Sequence, residues 1–304
     1  MTKWISSIGC AGAGMLGSAI MHRLVERGFT VNVWNRNHAR LQPLVDAGAT
    51  AVDTPGELVA TSEIVLTCVT DGAAVERIVF AADGIASRGE SDKLLIDMST
   101  VDANHTRDLA ERLRSACGMG WLDAPTSGGP PAALKGSMAV MVGGRPEDFE
   151  RARPVWDALA GRCTRMGDNG AGQTTKMINQ VLVACTFAML GEACALAERA
   201  GIDAALLPHA LEGGRADSYL LQEYLPRMVG AEFTVDGTFG IMTKDLEMIH
   251  DLAREVGASM PVTALVHQIN RKMVADGYLD RDNSEIVKFF RGAGAQADLC
   301  SSSQ

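Results

Sequence analysis

The chain has 304 residues, 47% of them hydrophobic, which is enough apolar material for a large core and, by length, for about two domains. Its 28 Lys and Arg stand against 37 Asp and Glu, for a net charge of −9, and no Lys/Arg run exceeds two residues. That balance argues against a nucleic-acid or anionic-membrane surface, although a small anionic substrate needs only a local positive potential. The seven cysteines (Cys10, Cys68, Cys117, Cys163, Cys185, Cys194, Cys300) form no CxxC pair and read as small buried hydrophobes of a reducing compartment. The six histidines show no HxxxH spacing, so no metal site is expected.

The chain reads into a strand-like segment from its first residues, so neither a signal peptide nor an Arg-rich presequence is expected. Short apolar runs predict strands over 5–11, 30–34, 64–69, 94–98, 121–124, 138–142 and 163–166, with amphipathic helices between them such as 18–27 and 103–116. This alternation is the pattern of a doubly wound α/β domain with a mainly parallel sheet. After about residue 168 the pattern becomes helical throughout. One long helix is expected over 172–199, roughly 42 Å long, followed by helices near 203–211, 243–256, 261–276 and 284–291. The long helix carries an uncharged stretch of 15 residues, 177–191, shorter than the ~20 needed to span a bilayer. A soluble, cytoplasmic protein is therefore expected, with a substrate cleft between an α/β half and an all-α half.

Residues 9–17 read GCAGAGMLG, so Gly12, Gly14 and Gly17 form G-x-G-x-x-G between a strand and a helix. The first glycine permits the tight turn and the second lets a pyrophosphate approach the backbone. The third permits close helix–strand packing, with the helix N-terminus facing the phosphates. Dinucleotide binding follows. At the end of the second strand an acidic residue would accept hydrogen bonds from a ribose 2′-hydroxyl, but the sequence reads VWNRN. Asn35, Arg36 and Asn37 at that place favour a 2′-phosphate, hence NADP(H) over NAD(H), with NAD(H) still usable. The plainer alternative is a surface arginine after a strand.

DAPTSGG, residues 123–129, follows another strand, where open α/β sheets bind ligands. Ser127, Gly128 and Gly129 offer a hydroxyl and successive backbone N–H groups, a concavity suited to a carboxylate, or else a plain loop. Lys176 lies in the first turns of the long helix, with Asn179 and Gln180 on its face at i+3 and i+4. An ammonium with two amides is poor core material but good company for a carbonyl oxygen, which must be protonated or electrostatically stabilised when hydride is transferred. The alternative is a lysine reaching from a helix edge to water. For Lys244, in TKDLEMIHDLA, spacing does not choose between a functional lysine and one paired with Asp245 or Glu247.

These pieces, in this order, resemble the β-hydroxyacid dehydrogenase family, which includes 3-hydroxyisobutyrate dehydrogenases and tartronate semialdehyde reductases. The resemblance covers nearly the whole chain, through IGCAGAGMLG (8–17), IDMST (96–100), DAPTSGG, MVGG (141–144), GDNGAGQTTKMINQ (167–180), GGRADS (213–218) and KDL (244–246). It implies a Rossmann-type domain over 1–168 and an all-α domain over 169–304 for substrate binding and oligomerisation, joined by the long helix. Carried over residue by residue, it makes Lys176 the catalytic acid/base. Ser127, Gly128 and Gly129 would hold the substrate carboxylate beside Asn179 and Gln180. Gly12, Gly14, Met15, Leu16, Gly17, Asn35, Arg36, Asn37 and Thr100 would contact the cofactor, toward which Lys244 reaches.

The implied reaction moves hydride between NADP(H) and a short 3-hydroxy acid or its semialdehyde, in a homodimer or homotetramer. Departures from the family pattern are the small Cys10 and Ala11, the Met15-Leu16 order in the turn, and the rigid pair Pro130–Pro131. Arg215, Asp217, Ser218, Phe239 and the proline pair are further pocket candidates. Imine reductases share the layout but generally lack a lysine at the helix position. 6-Phosphogluconate dehydrogenases are longer and carry a histidine where this chain has Asn179. A non-catalytic NADP-binding module would have no need of an ammonium beside a carboxylate site.

Overall fold

The computed structural model describes residues 5–292, so Cys300 lies outside the described residues. By its internal packing the chain divides between Lys176 and Met177. In the first unit nine strands form one sheet: β1 (Ser7–Ala11), β2 (Thr30–Trp34), β3 (Thr50–Ala51), β4 (Ile64–Thr67), β5 (Leu94–Asp97), β6 (Gly120–Asp123), β7 (Thr126–Ser127), β8 (Met138–Gly143) and β9 (Ala160–Gly167). Their order is β3-β2-β1-β4-β5-β6-β8-β7, with β9 beside β8. Pairings from β3 to β6 are parallel, β8 runs antiparallel to β6 and β7, and β9 is parallel to β8.

The seven expected strands all form, with ends moved by up to three residues. β3 and β7 were not expected, because two residues carry no readable alternation. Side chains alternate across the sheet, as strand geometry requires. Ile8, Cys10, Ile64, Leu66, Leu94, Ile96 and Leu122 join the core on one face, while Ala11, Val65, Leu95 and Trp121 join the core on the other. Burial of both faces explains why β4, β5 and β6 read as continuous apolar runs. The register aligns Ala11, Thr67, Asp97 and Asp123 side by side, so four strands end in one row.

The long helix, Ala171–Arg199, begins in the first unit and continues into the second. It is long and apolar enough to cross a membrane by length and composition, and half of its most apolar window is buried inside the protein. The other main helices of the second unit are Tyr219–Gly230, Phe239–Val256 and Pro261–Met273. Tyr219–Gly230 was not expected, because Pro226 sits inside it and reads as a breaker. Ser218 caps it by accepting from the Leu221 N–H at 3.1 Å, and Leu221, Leu225 and Met228 bury its inner face. The segments 203–211 and 284–291 each form a 3₁₀ turn followed by one short helix rather than a single helix. Thr238 and Asp282 make an isolated bridge, and no strand is present among the described residues of this unit.

Candidate active site

The glycine turn is set by backbone geometry. Gly12 has φ +108°, and a Cβ there would lie 2.2 Å from the Cys68 carbonyl oxygen. A Cβ on Gly17 would lie 1.9 Å from the Gly12 carbonyl oxygen, whereas Gly14 has nothing within 4 Å of its Cβ position. The two outer glycines are closed against protein, and the middle one faces open space where a ligand backbone can approach. Helix Met15–Glu26 starts here with no side-chain cap and no acidic residue in its first turn, so its first N–H groups suit an anion. Met15 is exposed and Leu16 half-buried at that start. Behind the turn, burial pushes the Cys68 thiol up to about 12, and Cys10 still higher, so neither is a ready thiolate.

At the end of β2 the three residues divide their work. Asn35 accepts from the Ala13 N–H at 3.0 Å and donates to the Asn37 carbonyl at 2.8 Å, which ties β2 to the glycine turn. Asn37 caps the following 3₁₀ turn by accepting from the Ala39 N–H at 3.1 Å. Both amides are committed locally, and Arg36 stands exposed between them. The place where a dinucleotide's adenine ribose lies in such folds thus carries a cation and no acid. These residues fit a nicotinamide dinucleotide.

Ser127 is paired into the sheet opposite Ala139 and is half-buried. Gly128 and Gly129 follow with φ of +118° and +63°. Pro130 and Pro131 occupy the first positions of helix Gly129–Lys135, where proline is tolerated and supplies no N–H. Donors at this turn therefore come from the Gly128 and Gly129 N–H groups and the Ser127 hydroxyl.

The start of the long helix is built from buried polar groups. Asp123, fully buried at the end of β6, accepts from the Gly170 N–H at 2.8 Å and the Gln173 N–H at 3.1 Å. Burial raises its pKa above the carboxylate norm, and those backbone donors oppose the rise. Gln173, also fully buried, accepts from the Val101 N–H at 3.1 Å and donates to the Ser99 carbonyl at 2.9 Å. Thr100, between those two residues, is half-buried. Lys176 comes one turn later and is only 9% exposed. Asp97 ends β5, accepting from the Thr67 hydroxyl at 2.8 Å and the Ser99 N–H at 3.1 Å, and burial pushes it up to about 6.

In the second unit, Gln180 donates to Asp245 at 2.6 Å, and Asn179 donates to Gln180 at 3.0 Å. Of the two acids available to it, Lys244 pairs with Asp245, at 3.3 Å. Asp245 is 1% exposed and Lys244 half-buried. Three pocket candidates have local structural partners. Ser218 is a helix cap, Asp217 accepts from the Gly213 N–H and the Gln222 amide, and Phe239 is fully buried against Tyr278. Sequence reasoning missed Asp97, Asp123, Gln173 and Asp245. An acid ending an apolar run, as in LLID and WLD, was the one available signal for the first two.

The geometry can be set beside known proteins. Residues 7–167 match the family described as the NAD-binding domain of 6-phosphogluconate dehydrogenase. Residues 170–290 match the family described as NAD-binding of NADP-dependent 3-hydroxyisobutyrate dehydrogenase. The chain is 32% identical to the L-threonate dehydrogenase of Cupriavidus necator over 94% of its own length and 96% of that protein's. It is 30% identical to the 2-hydroxy-3-oxopropionate reductase of Escherichia coli, covering 92% of this chain and 96% of the relative. The 3-hydroxyisobutyrate dehydrogenase of Mycobacterium tuberculosis, solved with L-serine, superposes with a TM-score of 0.85 at 28% identity, covering 95% of this chain and all of that one. A glycine turn that admits a dinucleotide, a serine-glycine-glycine strand end and relatives matched nearly end to end lead to one conclusion: the chain belongs to the β-hydroxyacid dehydrogenase family, and it is an NAD(P)-dependent oxidoreductase of hydroxy acids.

Proposed function

We propose that this enzyme prefers NADP(H) and interconverts a short 3-hydroxy acid with its carboxylate-bearing semialdehyde in the cytoplasm. The observation that carries this reading is Lys176. An ammonium only 9% exposed, one turn into a helix start held by buried hydrogen bonds, is a fixed proton donor for a substrate oxygen. When bound, the nicotinamide supplies the hydride. Lys176 gives its proton to the carbonyl oxygen as charge develops there, and takes it back in the oxidative direction.

Ser127 and the Gly128 and Gly129 N–H groups hold the substrate carboxylate. Asn179 borders the reacting end, and Gln180 contributes by fixing Asn179. The glycine turn with Met15, Leu16 and Thr100 seats the cofactor, Arg36 binds the 2′-phosphate between Asn35 and Asn37, and Lys244 reaches toward the cofactor. Residues 1–168 form the cofactor domain and 169–304 the substrate and oligomerisation domain. Ile178, Leu182, Met189 and Leu196 are exposed along one stripe of the long helix, which supports a homodimer or homotetramer.

The test is NADPH and NADH oxidation with tartronate semialdehyde, methylmalonate semialdehyde, succinic semialdehyde and glyoxylate. Turnover of at least one is expected, faster with NADPH. Lys176→Ala is expected to lower kcat by ~10²–10⁴ while NADPH still binds. A variant with wild-type kcat would remove the lysine from the chemistry. Arg36→Ala is expected to lower kcat/KM for NADPH about tenfold and leave NADH unaffected. An unchanged ratio of the two cofactors would place 2′-phosphate recognition elsewhere.

A further inference from the structure

Two buried side chains outside the expected site tie the helix turn before Lys176 to neighbouring segments. Gln173 bonds both residues that flank Thr100, through Ser99 O and Val101 N, while its own N–H donates to Asp123. Asp123 in turn ends β6, directly before the strand that carries Ser127. The helix start is pressed onto the sheet as well. A Cβ on Gly172 would lie 2.5 Å from the Met141 carbonyl oxygen and 2.6 Å from that of Asp123. Gln173 and Lys176 are three residues apart on a helix, about 4.5 Å of rise and on neighbouring positions of one face.

We propose that Gln173, braced by Asp123, is a positioning residue that sets the spacing between the loop at Thr100 and the helix turn bearing Lys176. This rests on the proposed function of Lys176. A helix cap alone would need only Asp123, since its carboxylate already takes two of the orphan N–H groups. The Gln173 amide does something different. It satisfies one donor and one acceptor on either side of a single residue in another segment, so the loop at 99–101 and the helix start move as one piece. Displacement by about 1 Å in such an arrangement can cost on the order of a hundredfold in rate.

The test uses the full chain. Gln173→Met keeps the length and apolar bulk but removes both side-chain hydrogen bonds. The first readout is backbone hydrogen exchange. Gln173→Met should raise exchange in 99–101 and 170–176 together and leave helix Phe239–Val256 unchanged. Faster exchange in 170–176 alone would overturn the proposal.

The second readout is turnover per NADPH-binding site, using NADPH deuterated at the transferred hydrogen and the semialdehyde that the wild type reduces. Gln173→Met should lower kcat by about tenfold to a hundredfold and enlarge the isotope effect. NADPH Kd should rise by less than kcat falls, because the glycine turn still seats the cofactor. Added to Lys176→Ala, Gln173→Met should cost little more. Wild-type kcat and isotope effect with only a lower Tm would reduce Gln173 to fold support. Wild-type kcat in Lys176→Ala would sink the lysine reading instead, and the exchange experiment would still decide whether Gln173 couples the two segments. It decides equally if none of the four aldehydes is reduced.

Discussion

The long helix carries two buried polar stations seven residues apart, and they are compensated in different ways. At Gln173, the first station, the carboxylate of Asp123 meets chiefly backbone N–H groups at a helix start, with the Asn169 amide beside them. At Gln180, the second, the carboxylate of Asp245 meets a side-chain amide and the ammonium of Lys244. The first solution is neutral donors aided by the helix dipole, rigid because the backbone itself supplies the partners. The second pairs opposite charges through side chains that have rotamers to lose. A buried acid can thus be held by structure or by charge, and the two kinds should respond differently to mutation, pH and salt.

Asp123→Ala should show the larger stability loss, about 4 kcal/mol, because two buried N–H groups lose their acceptor at once. Urea unfolding measures it, and a loss under about 1 kcal/mol would mean that water or a neighbour replaces the carboxylate. This loss should be nearly the same at low and high salt.

Asp97, in the same row as Asp123, adds a pH signature to the first unit. Its folded pKa, pushed up to about 6 from 3.8, means that the folded state holds the proton more tightly than the unfolded one. Its contribution is therefore fullest below about pH 4 and falls as pH rises through about 6, by up to about 3 kcal/mol. Asp97→Asn keeps an oxygen for Thr67 and Ser99 and removes the titration. Its stability relative to wild type should rise between pH 4.5 and pH 8, and a difference independent of pH would contradict the raised pKa.

Asp245→Ala should cost least, about 2 kcal/mol, since it strands the Gln180 amide while Lys244 can turn to water. Unlike the Asp123 effect, part of this one should shrink in high salt. Equal salt dependence for the two variants would dissolve the distinction between the stations.

What the sequence determined by itself was local. Gly12 and Gly17 had to be glycine because the turn leaves no room for a Cβ, and that demand is written within nine residues. The strands of the sheet were legible because burial on both faces makes apolar runs, and the long helix because no proline interrupts it. Lys176 was conspicuous as a lone charge before an apolar stretch. β3 and β7 escaped because two residues cannot display a period, and Tyr219–Gly230 because Pro226 outweighed a face that only packing reveals.

Only the tertiary structure decided who partners whom. It committed Asn35 and Asn37 to the backbone and left Arg36 exposed, gave Lys244 to Asp245 rather than Glu247, and sent Phe239 into the core. Asp123 and Gln173 were ordinary letters until the fold brought them to partners about fifty and more than seventy residues away. Such pairs have no period and no spacing. They exist because a buried donor or acceptor must be satisfied by whatever the packed chain sets beside it.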